Sequence, residues 1–350
     1  MKFGCIIDFP SSSIESIFEQ TAKIEKSGFD TLFYPDHTVD FTPSSEMVFD
    51  AFNTLSALAT RTKLQLGTAV SDCHRFHPAL MAHKVATLDH LSSGRALLGV
   101  GAGEKINVDM YGFSRDKVLS KLREYIELIR LFWTKKKVSK KSEFWGEIIK
   151  AFIQLKPIQK TPPIYIAANS PKSRQLTGEL GNGWFPFVES PTTYKENKIE
   201  VVQAAKKIGR NPDEIDYALQ MYVAIDDDNP EKAKKAVELF RLVGIVAAAK
   251  LNQIYPNLNL PKEFVTLKTG HNFDMNSDLN KVFSYKGELP ESLLTDNLCI
   301  GTTDDVIKSI EKFKNAGVTH MAFFNFGPDK DKVFEIFRYK IIPYFKEEEN

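Results

Sequence analysis

Short apolar runs recur along this chain, and between them apolar residues return every three or four positions. The runs are Lys2 to Asp8, Asp30 to Tyr34, Leu64 to Val70, Ala96 to Val100, Ile164 to Ala168, Gly181 to Phe187, Tyr217 to Ile225 and Thr319 to Phe324. Their length predicts strands, and the wholly apolar ones predict burial on both faces. The stretches between them predict helices. Ile14, Ile17, Phe18, Ala22 and Ile24 trace one stripe, with Ser11-Ser12-Ser13 to cap it and Gly28 to end it. Phe49 to Arg61, Pro78 to about Leu91, Lys117 to Trp133, Pro191 to Ile208 and Lys330 to Phe345 read as further helices. Strand–helix alternation at about 30-residue spacing predicts a parallel sheet. Eight such strands in 350 residues predict an α/β fold closed as a (β/α)8 TIM barrel, a single domain over residues 1–350.

Two segments break the rhythm. Phe144-Trp145-Gly146 to Leu155 alternates like a hairpin laid over the barrel. Residues 246–298 are rich in Asn, Leu and Tyr and carry no strand–helix period. That stretch is expected to be an insertion over the barrel mouth, since long irregular segments in a compact domain usually serve as lids or binding loops.

Composition narrows the class. The formal net charge is +1, which removes any electrostatic case for nucleic acid as a partner. The three cysteines, Cys5, Cys73 and Cys299, form no CxxC and argue against a disulfide framework or a structural zinc site. No apolar run reaches the length of a membrane span. The N-terminus enters a strand pattern at once, which argues against a signal peptide and makes the cytoplasm the expected location.

In a barrel of this kind the chemistry sits at the C-terminal ends of the strands. One stretch stands out there. Ala96 to Val100 runs into Gly99, Gly101 and Gly103, three alternating glycines that let backbone approach a ligand, and Glu104 follows. The spacing is not the G-x-G-x-x-G of a dinucleotide site. Collected strand ends add Asp8-Phe9, Asp36-His37, Ala69-Val70-Ser71, Ala168-Asn169-Ser170, Gly183-Trp184 and Asn325-Phe326. Asp36, His37, Glu104 and Asn107 make one imidazole and two carboxylates, which is general acid/base equipment. It is a poor metal set, and His74 and His77 lie in a loop at a spacing that aligns badly, so no metal is expected. Phe9, Phe41, Trp184, Phe185 and Phe326 are candidates for aromatic walls around a flat ligand.

The motifs Pro35-Asp36-His37, Gly67 to Asp72 with Arg75 and His77-Pro78, Thr87 to Arg95, and Gly99 to Glu104 with Asn107 and Tyr111-Gly112 carry a family resemblance. Pro163 to Ala168, which includes Ala167, and Gly181 to Trp184 continue it. The chain resembles the bacterial-luciferase-like superfamily, in the branch that uses the deazaflavin coenzyme F420. Within that branch it is similar to the phthiodiolone ketoreductase group, and also to methylene-tetrahydromethanopterin reductase. The resemblance implies an F420-dependent oxidoreductase moving a hydride between the deazaflavin and a carbonyl or alcohol carbon. It implies a bulge, often with a non-prolyl cis peptide, at Ala69-Val70 behind the deazaflavin ring. Asp36 and Asn107 are implied at the ring's pyrimidine end, and the Gly101-Ala102-Gly103 backbone under it. Ala168, Asn169, Ser170 and Gly183 are implied to hold the phosphate through backbone amides, with Lys172 and Arg174 meeting an acidic tail. His37 is implied as proton donor or acceptor, and Glu104 as its cofactor-side partner or a proton relay. Relatives are often dimers, so a homodimer acting on a small molecule is expected. The alternatives are a methylene-tetrahydromethanopterin reductase, an FMN-dependent monooxygenase of the same superfamily, and a non-catalytic flavin-binding barrel.

Overall fold

The eight predicted runs lie side by side, all parallel, and close on themselves. The computed structural model describes residues 1–7, 11–39, 47–237 and 298–347. The ring runs β1 (Lys2–Ile6), β2 (Thr31–Tyr34), β3 (Gln65–Thr68) with β4 (Ser71–Asp72), β5 (Ala96–Gly101), β8 (Ile164–Ile166), β9 (Gly183–Trp184), β10 (Asp216–Ile225) and β12 (His320–Asn325), which returns to β1. The antiparallel hairpin is β6 (Val138–Lys141) with β7 (Glu147–Ala151). A strand not foreseen, β11 (Cys299–Gly301), pairs in parallel with the far end of β10. The expected insertion over 246–298 lies, but for Leu298, outside the described residues.

Side chains alternate across each strand, so every strand serves two cores. Ile6, Phe33, Leu97, Tyr165, Phe185, Ala218 and Ala322 fill the barrel. Phe3, Cys5, Leu32, Tyr34, Leu98 and Val100 face outward into the layer shared with the helices. That layer holds α1 (Ile14–Lys26), α2 (Ala51–Ala59), α3 (Pro78–Leu91), α5 (Val118–Thr134), α6 (Pro171–Leu180), α7 (Pro191–Lys207), α8 (Thr303–Asn315) and α9 (Lys330–Ile336), while the short α4 (Lys105–Val108) sits just past β5. Their starts are capped as the sequence suggests. Ser13, Ser170 and Thr302 each close a capping box, and Pro78 opens α3 behind His77.

The strand beside β5 carries one residue too many. Gly67 pairs with Leu97 and Ser71 with Val100, so four steps on one strand match three on its neighbour. This is a β-bulge, and the Ala69–Val70 peptide within it is cis. Close approach explains the glycines opposite. A Cβ on Gly99 would stand 1.9 Å from the Thr68 carbonyl oxygen, and one on Gly101 would stand 3.0 Å from a Val70 methyl.

The opposite, N-terminal end of the barrel is closed by a polar plug. Asp216 accepts from Lys2 Nζ at 2.6 Å, from Thr319 Oγ1 at 2.5 Å and from the Tyr165 hydroxyl, and lies 3.6 Å from the buried His320 ring.

Candidate active site at the barrel mouth

β2 delivers Asp36 and His37 to the mouth, and β5 delivers Glu104. His37 Nε2 lies 3.4 Å from Glu104 Oε2. Asn107, in the single turn α4, locks the imidazole. Its Oδ1 accepts from the Thr38 backbone N–H at 2.8 Å, which can only donate, so the other end of the amide is the Nδ2 donor. Nδ2 lies 2.8 Å from His37 Nδ1. His37 therefore accepts at Nδ1 and carries its proton on Nε2, toward Glu104.

The electrostatics divide the pair. Burial, then the Arg75 guanidinium, pushes the His37 pKa down to about 4, so the ring is neutral in ordinary conditions. Glu104 has 56 % of its side chain open in the mouth. Protein crowded around the carboxylate nevertheless raises its pKa to about 7, against the pull of Arg115. The group that titrates near neutrality is thus the glutamate, where the unperturbed residues would have suggested the histidine.

Arg75 ties this loop together. It bonds Asp36 Oδ1 at 3.0 Å and the Asp36 carbonyl at 2.7 Å, reaches Thr38 Oγ1 at 3.1 Å, and pairs with Asp72. Burial raises the Asp36 pKa and Arg75 opposes it. Two buried oxygens here, Asp36 Oδ2 and Ser71 Oγ, have no well-aligned hydrogen-bond partner among the described residues, and the Ser71 hydroxyl beside Asp36 helps to lower its pKa. Buried polar atoms are normally fully satisfied, so this loosely paired carboxylate and hydroxyl are where a polar ligand edge can add contacts. They flank the bulge at Ala69 and Val70, where the Val70 methyls pack toward Gly99 and Gly101 of β5. A flat, polar-edged ring of the deazaflavin kind fits such a place: bulge behind, Gly101-Ala102-Gly103 beside, Asp36 and Ser71 at the edge.

Several expectations need correcting. Asn107 orients His37 and Thr38 through one N–H and its Oδ1, a role beyond the cofactor contact expected of it. Gly183 and Trp184 are not at the mouth. They start β9, level with Asp216 near the closed end, because that strand runs on through Phe185 to a bridge between Phe187 and Gln220. A Cβ on Gly183 would stand 2.4 Å from the Tyr165 ring, and Trp184 is fully buried, stacked on Tyr194 with its Nε1 on the Ala168 carbonyl. Phe185 packs inside the barrel on Phe33. The Ser170 amide is taken by Ser173 Oγ at 2.9 Å and Asn169 Oδ1 accepts from Phe187, so of the proposed phosphate cradle only the Ala167–Asn169 turn retains its place at the strand end. Arg174 is buried and forked onto Glu200 at 2.9 and 3.0 Å, which removes it from any acidic tail. Asp8, Phe9 and Phe41 lie outside the described residues.

The aromatic side of the mouth includes Phe326, expected from the sequence, together with Phe187, Tyr222 and Phe324, which were not. Phe187, Tyr222, Phe324 and Phe326 meet at centroid distances of 5.1 to 6.4 Å. The Tyr222 pKa is raised by burial and then by Glu104. Alternation along β10 and β12 was the available signal, since Tyr222 and Phe324 fall at inward positions near the strand ends. The two loop histidines are structural: His77 Nδ1 caps α3 at the Ala79 N–H, and His74 bonds the Ala102 carbonyl.

A closed parallel barrel with an acid/base pair at its C-terminal mouth, beside a bulged strand, defines a barrel enzyme of the luciferase-like class. The chain belongs to the family described as luciferase-like monooxygenase, which matches residues 1–320. It is 32 % identical to a 5,10-methylenetetrahydromethanopterin reductase of Archaeoglobus fulgidus, over 99 % of this chain and 100 % of that protein. It is 30 % identical to a phthiodiolone/phenolphthiodiolone dimycocerosates ketoreductase of a Mycobacterium species, over 81 % of this chain and 76 % of that protein. Among solved structures, an F420-dependent secondary alcohol dehydrogenase superposes with a TM-score of 0.81 at 24 % identity, covering 98 % of both chains. No helix among the described residues is long and apolar enough to cross a membrane.

Proposed function

We propose that this protein is an F420-dependent oxidoreductase acting on a carbonyl or alcohol carbon. The observation that carries the reading is the His37–Glu104 contact at the mouth, beside a bulged strand with the buried Asp36 carboxylate and Ser71 hydroxyl at its edge. The names of the family relatives, reductases and a ketoreductase, support it. When bound, coenzyme F420 supplies the hydride carrier. The bulge at Ala69-Val70, the Ala102-Gly103 backbone, Asp36 and Ser71 would hold its ring, and the Ala167–Asn169 turn its tail.

The chain's own part is the proton. Glu104, with a pKa of about 7, gives a proton toward the substrate oxygen in reduction and takes one in oxidation. His37 stays neutral and donates its Nε2–H, which fixes Glu104 or the substrate oxygen without changing charge. Phe187, Tyr222, Phe324 and Phe326 shield the substrate from water. Fluorescence titration with F420 and FMN, then a screen of ketones, secondary alcohols and methylene-tetrahydromethanopterin, tests the reading. FMN binding as tight as F420, or turnover that requires oxygen, would sink it in favour of the monooxygenase alternative.

A second reading is methylene-tetrahydromethanopterin reductase. Its support is coverage: the Archaeoglobus reductase aligns along 99 % of this chain, the mycobacterial ketoreductase along 81 %. The same screen separates the two.

A further inference from the structure

Three contacts link helix α5 to the turn that carries Glu104. Lys121 Nζ lies 3.2 Å from His74 Nδ1, and His74 Nε2 lies 3.0 Å from the Ala102 carbonyl oxygen. An ammonium only donates and a carbonyl only accepts. The imidazole therefore accepts at Nδ1 and donates at Nε2, which fixes it as the neutral Nε2–H tautomer. The third contact is steric. A Cβ on Gly103 would stand 3.3 Å from His74 Cδ2, 3.0 Å from Asp72 Cβ and 2.8 Å from a Val108 methyl. Gly103 also has φ +80°, a conformation that side chains disfavour. The chain thus leaves β5 through a glycine turn with the His74 ring against one side, and the next residue is Glu104.

The brace is itself held. The His74 backbone N–H donates to Asp72 Oδ1 at 2.7 Å, and Lys121 Nζ lies 5.8 Å from the Trp145 ring of the hairpin. We propose that His74, anchored by Lys121, is a positioning residue: it fixes the plane of the Ala102–Gly103 peptide and so the place of the Glu104 carboxylate against His37. This rests on the reading of Glu104 as the proton-exchanging group. The charged and titratable groups around Glu104 are His37 from the β2 end, Arg115 from the segment before α5, and Tyr222 from β10. Those around His74 are Lys121, Asp72 and Arg115, and burial followed by Lys121 holds its pKa below the ordinary imidazole value. Without the brace the turn relaxes, the carboxylate moves into water, and its ordinary acidity returns.

Infrared titration of the full chain, without added cofactor, reads the carboxyl directly. The wild-type protein should show a carboxyl band titrating near 7 that Glu104→Gln deletes. His74→Leu should lower its midpoint by about one pH unit or more. His74→Gln keeps an N–H donor and should leave the midpoint within about 0.3 pH unit of wild type. Lys121→Met removes the donor that holds His74 Nδ1, so the ring loses its anchor and the midpoint should move down in the same direction as in His74→Leu. Thermal melting establishes which variants fold, and Lys121→Met decides the matter if His74→Leu does not. A band that Glu104→Gln deletes but that neither His74→Leu nor Lys121→Met moves overturns the positioning role and leaves the Glu104 reading standing. No such band in wild type overturns the Glu104 reading itself.

Discussion

Asn107 Nδ2 donates to His37 Nδ1 across 2.8 Å while Asn107 Oδ1 is held by the Thr38 amide, and this pair of contacts sets which ring nitrogen carries the proton. A ring that accepts at Nδ1 cannot also be protonated there. The contact places the proton on Nε2, while burial and then Arg75 hold the pKa down to about 4 and keep the ring neutral.

Asn107→Asp should therefore reverse the arrangement. A carboxylate in place of Nδ2 accepts where the amide donated, so His37 moves its proton to Nδ1 or becomes an imidazolium. We expect the His37 pKa to rise from about 4 into or above the ordinary imidazole range, read by nitrogen NMR of the ring. Turnover should fall by about ten- to a hundredfold. A wild-type ring that titrates between pH 5 and 8 would contradict the assignment.

The pH dependence of catalysis should follow Glu104. Its folded pKa is raised to about 7, so the acid form dominates below that pH and the carboxylate above it. Reduction, which needs a proton donor, should lose rate as pH rises through 7, and oxidation should gain rate over the same range. Glu104→Gln should flatten both limbs and cut turnover by about a hundredfold or more. His37→Ala should cost a similar factor while leaving both limbs in place, because the neutral imidazole does not titrate there.

Two neighbouring glycines should respond differently to alanine. On Gly99 the added methyl would meet the Thr68 carbonyl at 1.9 Å, backbone that cannot move without unmaking the bulge. On Gly101 it would meet a Val70 methyl at 3.0 Å and the Ala167 Cβ at 3.4 Å. Gly99→Ala should destabilise by about 3 kcal/mol or fail to fold. Gly101→Ala should cost about 1 kcal/mol or less in stability. It should nevertheless weaken F420 binding several-fold, because Val70 gives way toward the ring. Denaturant melts and cofactor titration separate the two effects.

Much of this was legible in the sequence, and the exceptions share a cause. All eight ring strands were marked by apolar runs, because a strand buried on both faces has few polar residues to obscure it. The bulge was legible only through the family resemblance, since an extra residue in one strand shows only against its partner. Gly183 and Trp184 were misplaced because the apolar run continues to Phe187, and nothing in a continuous run says where the rim falls. Arg174 read as a free cation because Glu200, its partner, is one helix away. The His74–Lys121 brace joins residues 47 positions apart, which no local pattern reports. The inverted pKa order of His37 and Glu104 depends on burial, and residue type alone points the other way.

The plug at the closed end yields a stability prediction separate from catalysis. Asp216 accepts from Lys2, Thr319 and Tyr165 and lies beside His320. Burial alone would raise its pKa, but His320 and then Lys2 outweigh burial and hold it well below the usual carboxylate range. A depressed folded pKa stabilises above the unfolded value, about 3.9, and that contribution is lost as pH falls through the folded value. Asp216→Asn should thus cost about 2–4 kcal/mol at pH 7, a figure reduced for the exposed Lys2 end of the network. The gap between wild type and variant should narrow as pH drops below about 4, where the unfolded wild-type chain takes up a proton at Asp216 that the folded protein does not. The His37–Glu104 pair lies at the opposite end of the barrel, so F420 affinity and the pH limbs of catalysis should stay unchanged. Urea melts of both proteins from pH 7 down to pH 3 check this, and a gap that widens toward acid would show that the plug is not held by the Asp216 charge.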